Sequence, residues 1–203
     1  CFGRNYEAHA RETGHDPTRE PPFFFTKPAD AVIPDGSAVA YPPETANLHY
    51  EIELVVVIGK DGFEIPEDKA LEHVFGYAVG IDLTRRDLQM AARELGRPWD
   101  WGKAFDDSAP IAPIQPVAKV GHPAKGRIWL SVNGTVKQDA DIADLIWSVP
   151  EIVSICSRSI RLKAGDVIMT GTPAGVGAIV AGDKVEGGVD GVGKIAITIT
   201  PRS

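Results

Sequence analysis

Residues 50–59 read YEIELVVVIG, and turn formers follow at Gly59, Asp61 and Gly62. A β-branched run bounded in this way predicts a strand, the strongest in the chain. Every position from Leu54 to Ile58 is apolar, so both faces of this half are expected to be buried. Side chains along a strand alternate, which puts Glu51 and Glu53 on one face, about 7 Å apart. Two carboxylates at the margin of a core repel each other and lose hydration unless a cation, a set of donors or a proton compensates. A divalent ion is the simplest compensation. A solvated strand end whose glutamates face water is the alternative, and alternation does not separate the two.

Residues 75–83 form the next predicted strand, with Asp82 at its C-terminal end. Thr84 and Asp87 have the spacing of a capping box, which predicts a helix over 85–95 that stops at Gly96. A carboxylate between a strand end and a helix strengthens the metal expectation. Three carboxylates with no cysteine ligand favour a hard ion with oxygen ligands, magnesium or manganese rather than zinc. His49 shares the parity of Glu51 and Glu53 and could make a His/Glu zinc site. A histidine beside such a cluster is more often a hydrogen-bonding neighbour of the ligands, and no HExxH pairing is present.

The 21 glycines and 16 prolines are spread along 203 residues, which predicts one domain of many short elements in which strands dominate. Residues 5–12 suit a helix and 13–22 a loop, together a candidate lid. Short apolar runs at 23–25 and 38–41, a helix at 66–73, and strands at 127–132, 167–170 and 195–200 follow. Asn133-Gly134 predicts a hairpin turn between 128–132 and 135–138. A second helix is expected over 142–157, interrupted or restarted near Pro150.

A net charge of −7 and a pI of 5.2 argue against a nucleic-acid or anionic-membrane partner and for a small substrate. Two cysteines, Cys1 and Cys156, make no disulfide framework and point to a reducing compartment. No apolar run reaches the roughly 18 residues of a membrane span. A cytoplasmic protein is expected. Cys1 reads as the end of a strand, so further residues are expected upstream of it.

His9 and Glu12, three apart in the predicted first helix, fall on one face within hydrogen-bonding reach. A carboxylate on one imidazole nitrogen fixes the tautomer and raises the basicity of the other, as a general base requires. Taken alone the pair reads more readily as an ordinary exposed helical contact. Lys103, in WDWGKAFD, could steady an enolate as a partly desolvated ammonium, or simply cover Trp99 or Trp101. Residues 170–177, TGTPAGVG, offer backbone amides and two hydroxyls, a cradle for a carboxylate.

In order along the chain these segments resemble the fumarylacetoacetate hydrolase family: GRNYxxH at 3–9, FxKP at 25–28, HYEIEL at 49–54, IDLTRRDLQ at 81–89, GKAFD at 102–106 and TGTPAGVG at 170–177. The resemblance covers nearly the whole chain. It implies an α+β, β-rich fold with a mixed β-roll or barrel-like core and a short N-terminal lid helix, assembled as a homodimer. It implies Mg2+ or Mn2+ held by Glu51, Glu53 and Asp82, a water-activating His9 and Glu12 on a lid of residues 5–22, and substrate contacts from Arg86, Gln89, Lys103 and Thr172. His49 matches a position beside the ligands. The stretches PPFFFTKPADAV and GRPWDWGKAFDDSAP point within the family to hydrolysis of a 2,4-diketo acid, fumarylpyruvate, to fumarate and pyruvate in aromatic catabolism by the gentisate route. Oxaloacetate decarboxylation, isomerisation of an unsaturated diacid and a non-catalytic ligand-binding domain are the alternatives.

Overall fold

The computed structural model describes residues 1–12, Gly14 and 21–202. Its strands are β1 (Val32–Pro34), β2 (Ala38–Ala40), β3 (Leu48–Tyr50), β4 (Ile52–Ile58), β5 (Val74–Ile81), β6 (Thr84–Arg85), β7 (Ala109–Ile111), β8 (Gln115–Pro116), β9 (Arg127–Val132), β10 (Thr135–Asp141), β11 (Val167–Met169), β12 (Gly177–Ile179), β13 (Lys184–Val189) and β14 (Gly193–Thr200). The α-helices are α1 (Glu7–Glu12), α2 (Arg86–Glu94), α3 (Asp100–Lys103), α4 (Val117–Val120) and α5 (Val149–Ser159), and a 3-10 helix spans Glu67–His73.

One sheet runs β1-β7-β5-β4-β11 with β8 also on β5, a second runs β10-β9-β13-β14-β2, and β12-β3-β6 form a third. Most pairs are antiparallel, but β1 pairs β7 and β2 pairs β14 in parallel, so the expected mixed, β-rich α+β fold is present. The two larger sheets share one core. Leu54, Val56 and Ile58 of β4 and Tyr77, Val79 and Ile81 of β5 meet Ile128, Leu130, Val185, Ile195, Ile197 and Ile199 from the second sheet. The opposite face of the first sheet carries a smaller cluster of Val55, Val57, Ala78 and Met169. Every residue of β4 is buried, as its unbroken apolar run requires.

Two details of the sequence expectation change. The strand expected over 50–59 is broken at Glu51: β3 pairs β12 and β6, whereas β4 pairs β5 and β11, so the chain changes sheets at the carboxylate. The α2 helix begins as expected, but Thr84 and Asp87 form no capping box. Thr84 Oγ1 donates to the Asp82 carbonyl, and Asp87 accepts from Thr45 Oγ1 and the Ala46 amide, fastening the loop before β3. The Asn133-Gly134 turn joins β9 to β10 with φ of 50° and 79°, the left-handed pair that a two-residue hairpin demands. The helix expected over 142–157 is a 3-10 turn at Ile142–Asp144, then α5, restarted by a Ser148–Glu151 capping box with Pro150 in its first turn. No helix among the described residues is long and apolar enough to cross a membrane.

Candidate metal centre and the cavity above it

The β4–β5 ladder pairs Ile52 with Ile81 and Glu53 with Gly80, and the Asp82 amide continues it by donating to the Glu51 carbonyl at 2.8 Å. Core side chains take the even positions of β4 and the odd positions of β5. Glu51, Glu53 and Asp82 therefore fall together on the other face, the alternation that the sequence implied. One carboxylate oxygen from each lies within 4.8 Å of the others, and their exposures are 5%, 1% and 0%. At an effective dielectric near 20, two unit charges this far apart repel by about 3 kcal/mol.

The cations of the site are unevenly placed. Lys103 Nζ lies 2.8 Å from Glu51 Oε2, 2.6 Å from Asp82 Oδ2 and 2.6 Å from Thr84 Oγ1. The Arg86 guanidinium pairs with Glu51 Oε1 and donates to Gln89 Oε1. Burial alone would push the Glu51 carboxyl up; Lys103 and Arg86 instead hold it well below the usual carboxylate range. Burial likewise disfavours the Lys103 ammonium, but Asp82 and Glu51 raise it above the ordinary lysine value. Lys27 Nζ donates to the Leu83 and Lys103 carbonyls and lies 2.8 Å from Asp82 Oδ1. Burial lowers its ammonium to about 8.

Two acceptors remain. Asp82 Oδ1 is buried and accepts no hydrogen bond among the described residues, although the Lys27 ammonium lies 2.8 Å from it. Glu53 accepts only the Gly171 amide, at 2.6 Å, and no ammonium or guanidinium among the described residues lies within 4 Å of it. Burial, then the neighbouring Asp82 and Glu51, drive its carboxyl well above the usual range. A hard divalent ion between the three carboxylates would satisfy both acceptors, so the donor set fits magnesium or manganese.

A cavity of about 440 Å³ opens above the cluster and is lined by His9, Glu12, Glu51, Glu53, Arg86, Gln89, Lys103 and Thr172, among others. Of the residues singled out from the sequence, Asp82 alone is missing from the lining; it sits behind, sharing Lys103. The first segment of the chain reaches the cavity because Asn5 is clamped, its side chain donating to the Trp147 and Thr170 carbonyls and accepting the Trp147 amide. Helix α1 then presents His9, whose Nδ1 is 3.1 Å from Glu12 Oε2, and Glu12 also accepts the Gly175 amide at 3.0 Å. The pair is enclosed on the imidazole side alone: His9 is 6% exposed, whereas the Glu12 side chain is 35% exposed. Of the expected lid over 5–22, residues 13 and 15–20 lie outside the described residues.

His49 stands beside the ligands. Its Nδ1 accepts from Arg86 Nε at 3.3 Å, which leaves Nε2 to donate to Asn47 Oδ1 at 2.9 Å. Burial and the Arg86 charge lower its pKa to about 4, so it is neutral near pH 7. Lys103 covers neither Trp99 nor Trp101. It is fully enclosed, with Nζ 4.9 Å from the Phe25 ring centre.

Sequence reasoning missed Lys27 and Gln138. Lys27 lies in the quoted FxKP motif, which was the available signal. Gln138 gave none: it sits in the middle of the largely polar β10, yet is fully buried, accepting the Ile52 amide and donating to Thr172 Oγ1 at 2.8 Å and the Pro173 carbonyl at 2.7 Å.

Fold and cavity define a β-rich scaffold that gathers a buried acidic triad and an imidazole around one cavity. A family model described as Fumarylacetoacetate (FAA) hydrolase C-terminal matches residues 1–200, and the chain belongs to that family. A fumarylpyruvate hydrolase of Ralstonia sp is 48% identical over 92% of this chain and 96% of its own length. The mitochondrial oxaloacetate tautomerase of Mus musculus is 43% identical over 95% of this chain and 86% of its own. Among solved structures, fumarylpyruvate hydrolase from Pseudomonas aeruginosa in complex with Mn2+ and pyruvate is 56% identical, superposes with a TM-score of 0.98, and is matched over 100% of this chain and 88% of the other.

Proposed function

We propose that the chain is a divalent-metal-dependent hydrolase that cleaves a carbon–carbon bond of a 2,4-diketo acid, with fumarylpyruvate as substrate and fumarate and pyruvate as products. The observation that carries this reading is the Glu12-braced His9 in the wall of the same cavity as the three carboxylates. The relatives named above support the substrate class.

The site residues take complementary roles. Lys27, Lys103 and Arg86 already match the three carboxylates in formal charge, so a bound divalent ion leaves the site net positive and suited to an anion. Such an ion supplies Lewis-acid stabilisation of the oxygens of a keto acid. Arg86 and Gln89 orient the pyruvoyl carboxylate. Thr172 Oγ1 accepts from Gln138, which leaves its own proton to donate into the cavity. His9, its tautomer fixed by Glu12, takes a proton from water as the water oxygen bonds to the distal carbonyl carbon. The bond from that carbon to the neighbouring methylene breaks, and its electron pair becomes the enolate of pyruvate. Lys103, at the floor of the site, favours that charge, and protonation of the enolate completes pyruvate.

A second reading comes from the oxaloacetate tautomerase relatives. Enol–keto exchange of oxaloacetate uses the same enolate stabilisation without nucleophilic water. The test follows the enol absorbance of fumarylpyruvate, and separately of oxaloacetate, with added manganese and with chelator. Chelator-sensitive loss of fumarylpyruvate with release of pyruvate is expected. Rapid exchange of oxaloacetate with fumarylpyruvate untouched would overturn the hydrolase reading.

A further inference from the structure

The acidic cluster occupies one end of the cavity, and the side chains that line the other have no role in the chemistry at the cluster. On α2 the residues facing the cavity are Arg86, Gln89, Met90 and Arg93. They are spaced i, i+3, i+4 and i+7, one continuous stripe of a helix. Arg86, at the N-terminal end of the stripe, is bonded to Glu51. Arg93 lies seven residues further, about 10 Å along the helix axis. Trp99 lines the same end as a flat apolar wall, held edge-on against Phe23 with ring centres 5.3 Å apart.

Among the described residues the Arg93 guanidinium has no hydrogen-bond or ion-pair partner, in contrast to Arg86. A cation at the far end of a 440 Å³ cavity, one apolar stretch away from a site built for a keto acid carboxylate, is placed for a second anion. An extended seven-carbon diacid spans roughly 8 Å between terminal carbons, whereas a four-carbon diacid spans about half of that. Only the longer chain reaches both ends of the stripe.

We infer that Arg93 is a specificity-determining residue that binds the distal carboxylate of a long dicarboxylic acylpyruvate while Met90 and Trp99 flank the chain between the two charged ends. This rests on the keto-acid reading of the site and narrows it to dianionic substrates. Arg93 is exposed, and a guanidinium–carboxylate pair that the bound substrate covers is worth about a tenfold difference in binding.

The experiment compares wild type, Arg93→Gln and the control Arg97→Gln on fumarylpyruvate and on a saturated monocarboxylic acylpyruvate of equal length, with manganese present. Binding of fumarate to the manganese-loaded protein is measured by calorimetry in parallel. Arg93→Gln is expected to raise KM for fumarylpyruvate about tenfold with kcat little changed, to weaken fumarate binding similarly, and to leave the monocarboxylic substrate as in wild type. Arg97→Gln should match wild type throughout. Equal effects of Arg93→Gln on both substrates, or none on fumarylpyruvate and fumarate, overturn the assignment while leaving the hydrolase reading standing. Failure of wild type to cleave either acylpyruvate overturns the hydrolase reading and the assignment with it.

Discussion

Gly171 donates its backbone amide to Glu53 Oε2 at 2.6 Å, at the point where the chain leaves β11 and enters the TGTPAGVG loop. The residue has a φ of 101°, and a Cβ added there would stand 2.6 Å from the Cβ of Asn5. One glycine therefore lets the loop, the clamped first segment and a carboxylate of the triad meet. Gly171→Ala is expected to destabilise the fold by about 1–3 kcal/mol and to weaken manganese binding together with it. Thermal melting and calorimetric titration check this. Unchanged values for both would show that the close approach is not needed.

Glu53 should oppose folding in the absence of metal. A buried acid with a raised pKa stays protonated in the folded protein at pH values where the unfolded chain has already ionised. Its contribution is therefore neutral below about 4.5, and stability falls as pH rises from there toward the folded pKa. Glu51 behaves oppositely, adding stability above its ordinary value and losing it as the pH falls below. For chelated protein, Glu53→Gln is expected to melt higher than wild type at pH 8 and to show a flatter decline between pH 5 and 8, while losing manganese affinity by at least about a hundredfold. A lower melting temperature at pH 8 combined with undiminished manganese affinity would contradict both halves.

His9→Ala is expected to keep manganese binding and lose about 100-fold or more in kcat, and Glu12→Gln to lose less, with its fall accompanied by a loosened contact to Gly175. Steady-state kinetics with a manganese titration of each variant decide the matter. Wild-type turnover in His9→Ala would remove the imidazole from the proposed chemistry.

Gln138→Leu removes the donors to Thr172 and Pro173 and the acceptor of the Ile52 amide from a fully buried position. A stability loss of about 2–4 kcal/mol is expected, with a higher KM because Thr172 loses the bond that directs its proton into the cavity. A melting curve and KM both equal to wild type would count against this positioning role.

The alternation in residues 50–59 put Glu51 and Glu53 on one face, because strand parity is a local property, but a run apolar on both faces left open what that face would meet. The break at Glu51 was not legible, since it depends on β12 and β6, partners that lie far along the chain. Strand β13 escaped notice because its sequence, KVEGGV, has the glycines of a turn. Gly187 is instead required where the Ile52 side chain comes close, a Cβ there meeting Ile52 Cδ1 at 2.6 Å. The capping box at Thr84 and Asp87 had the right spacing, but both side chains were claimed by tertiary partners. His9 and Glu12 could be paired from their spacing, whereas the burial of His9 depends on Asn5 being held by Trp147 and Thr170. Lys27 was visible only as part of a motif, for its contact with Asp82 spans 55 residues.

The account turns on whether Glu51, Glu53 and Asp82 hold a divalent ion beneath the cavity. Anomalous diffraction from crystals grown with manganese and pyruvate tests this directly. One strong peak is expected, bonded to an oxygen of each carboxylate at roughly 2.1 Å, with pyruvate in the cavity above it. A manganese peak elsewhere, with the three carboxylates still bound only to Lys103, Arg86, Lys27 and Gly171, would contradict the account.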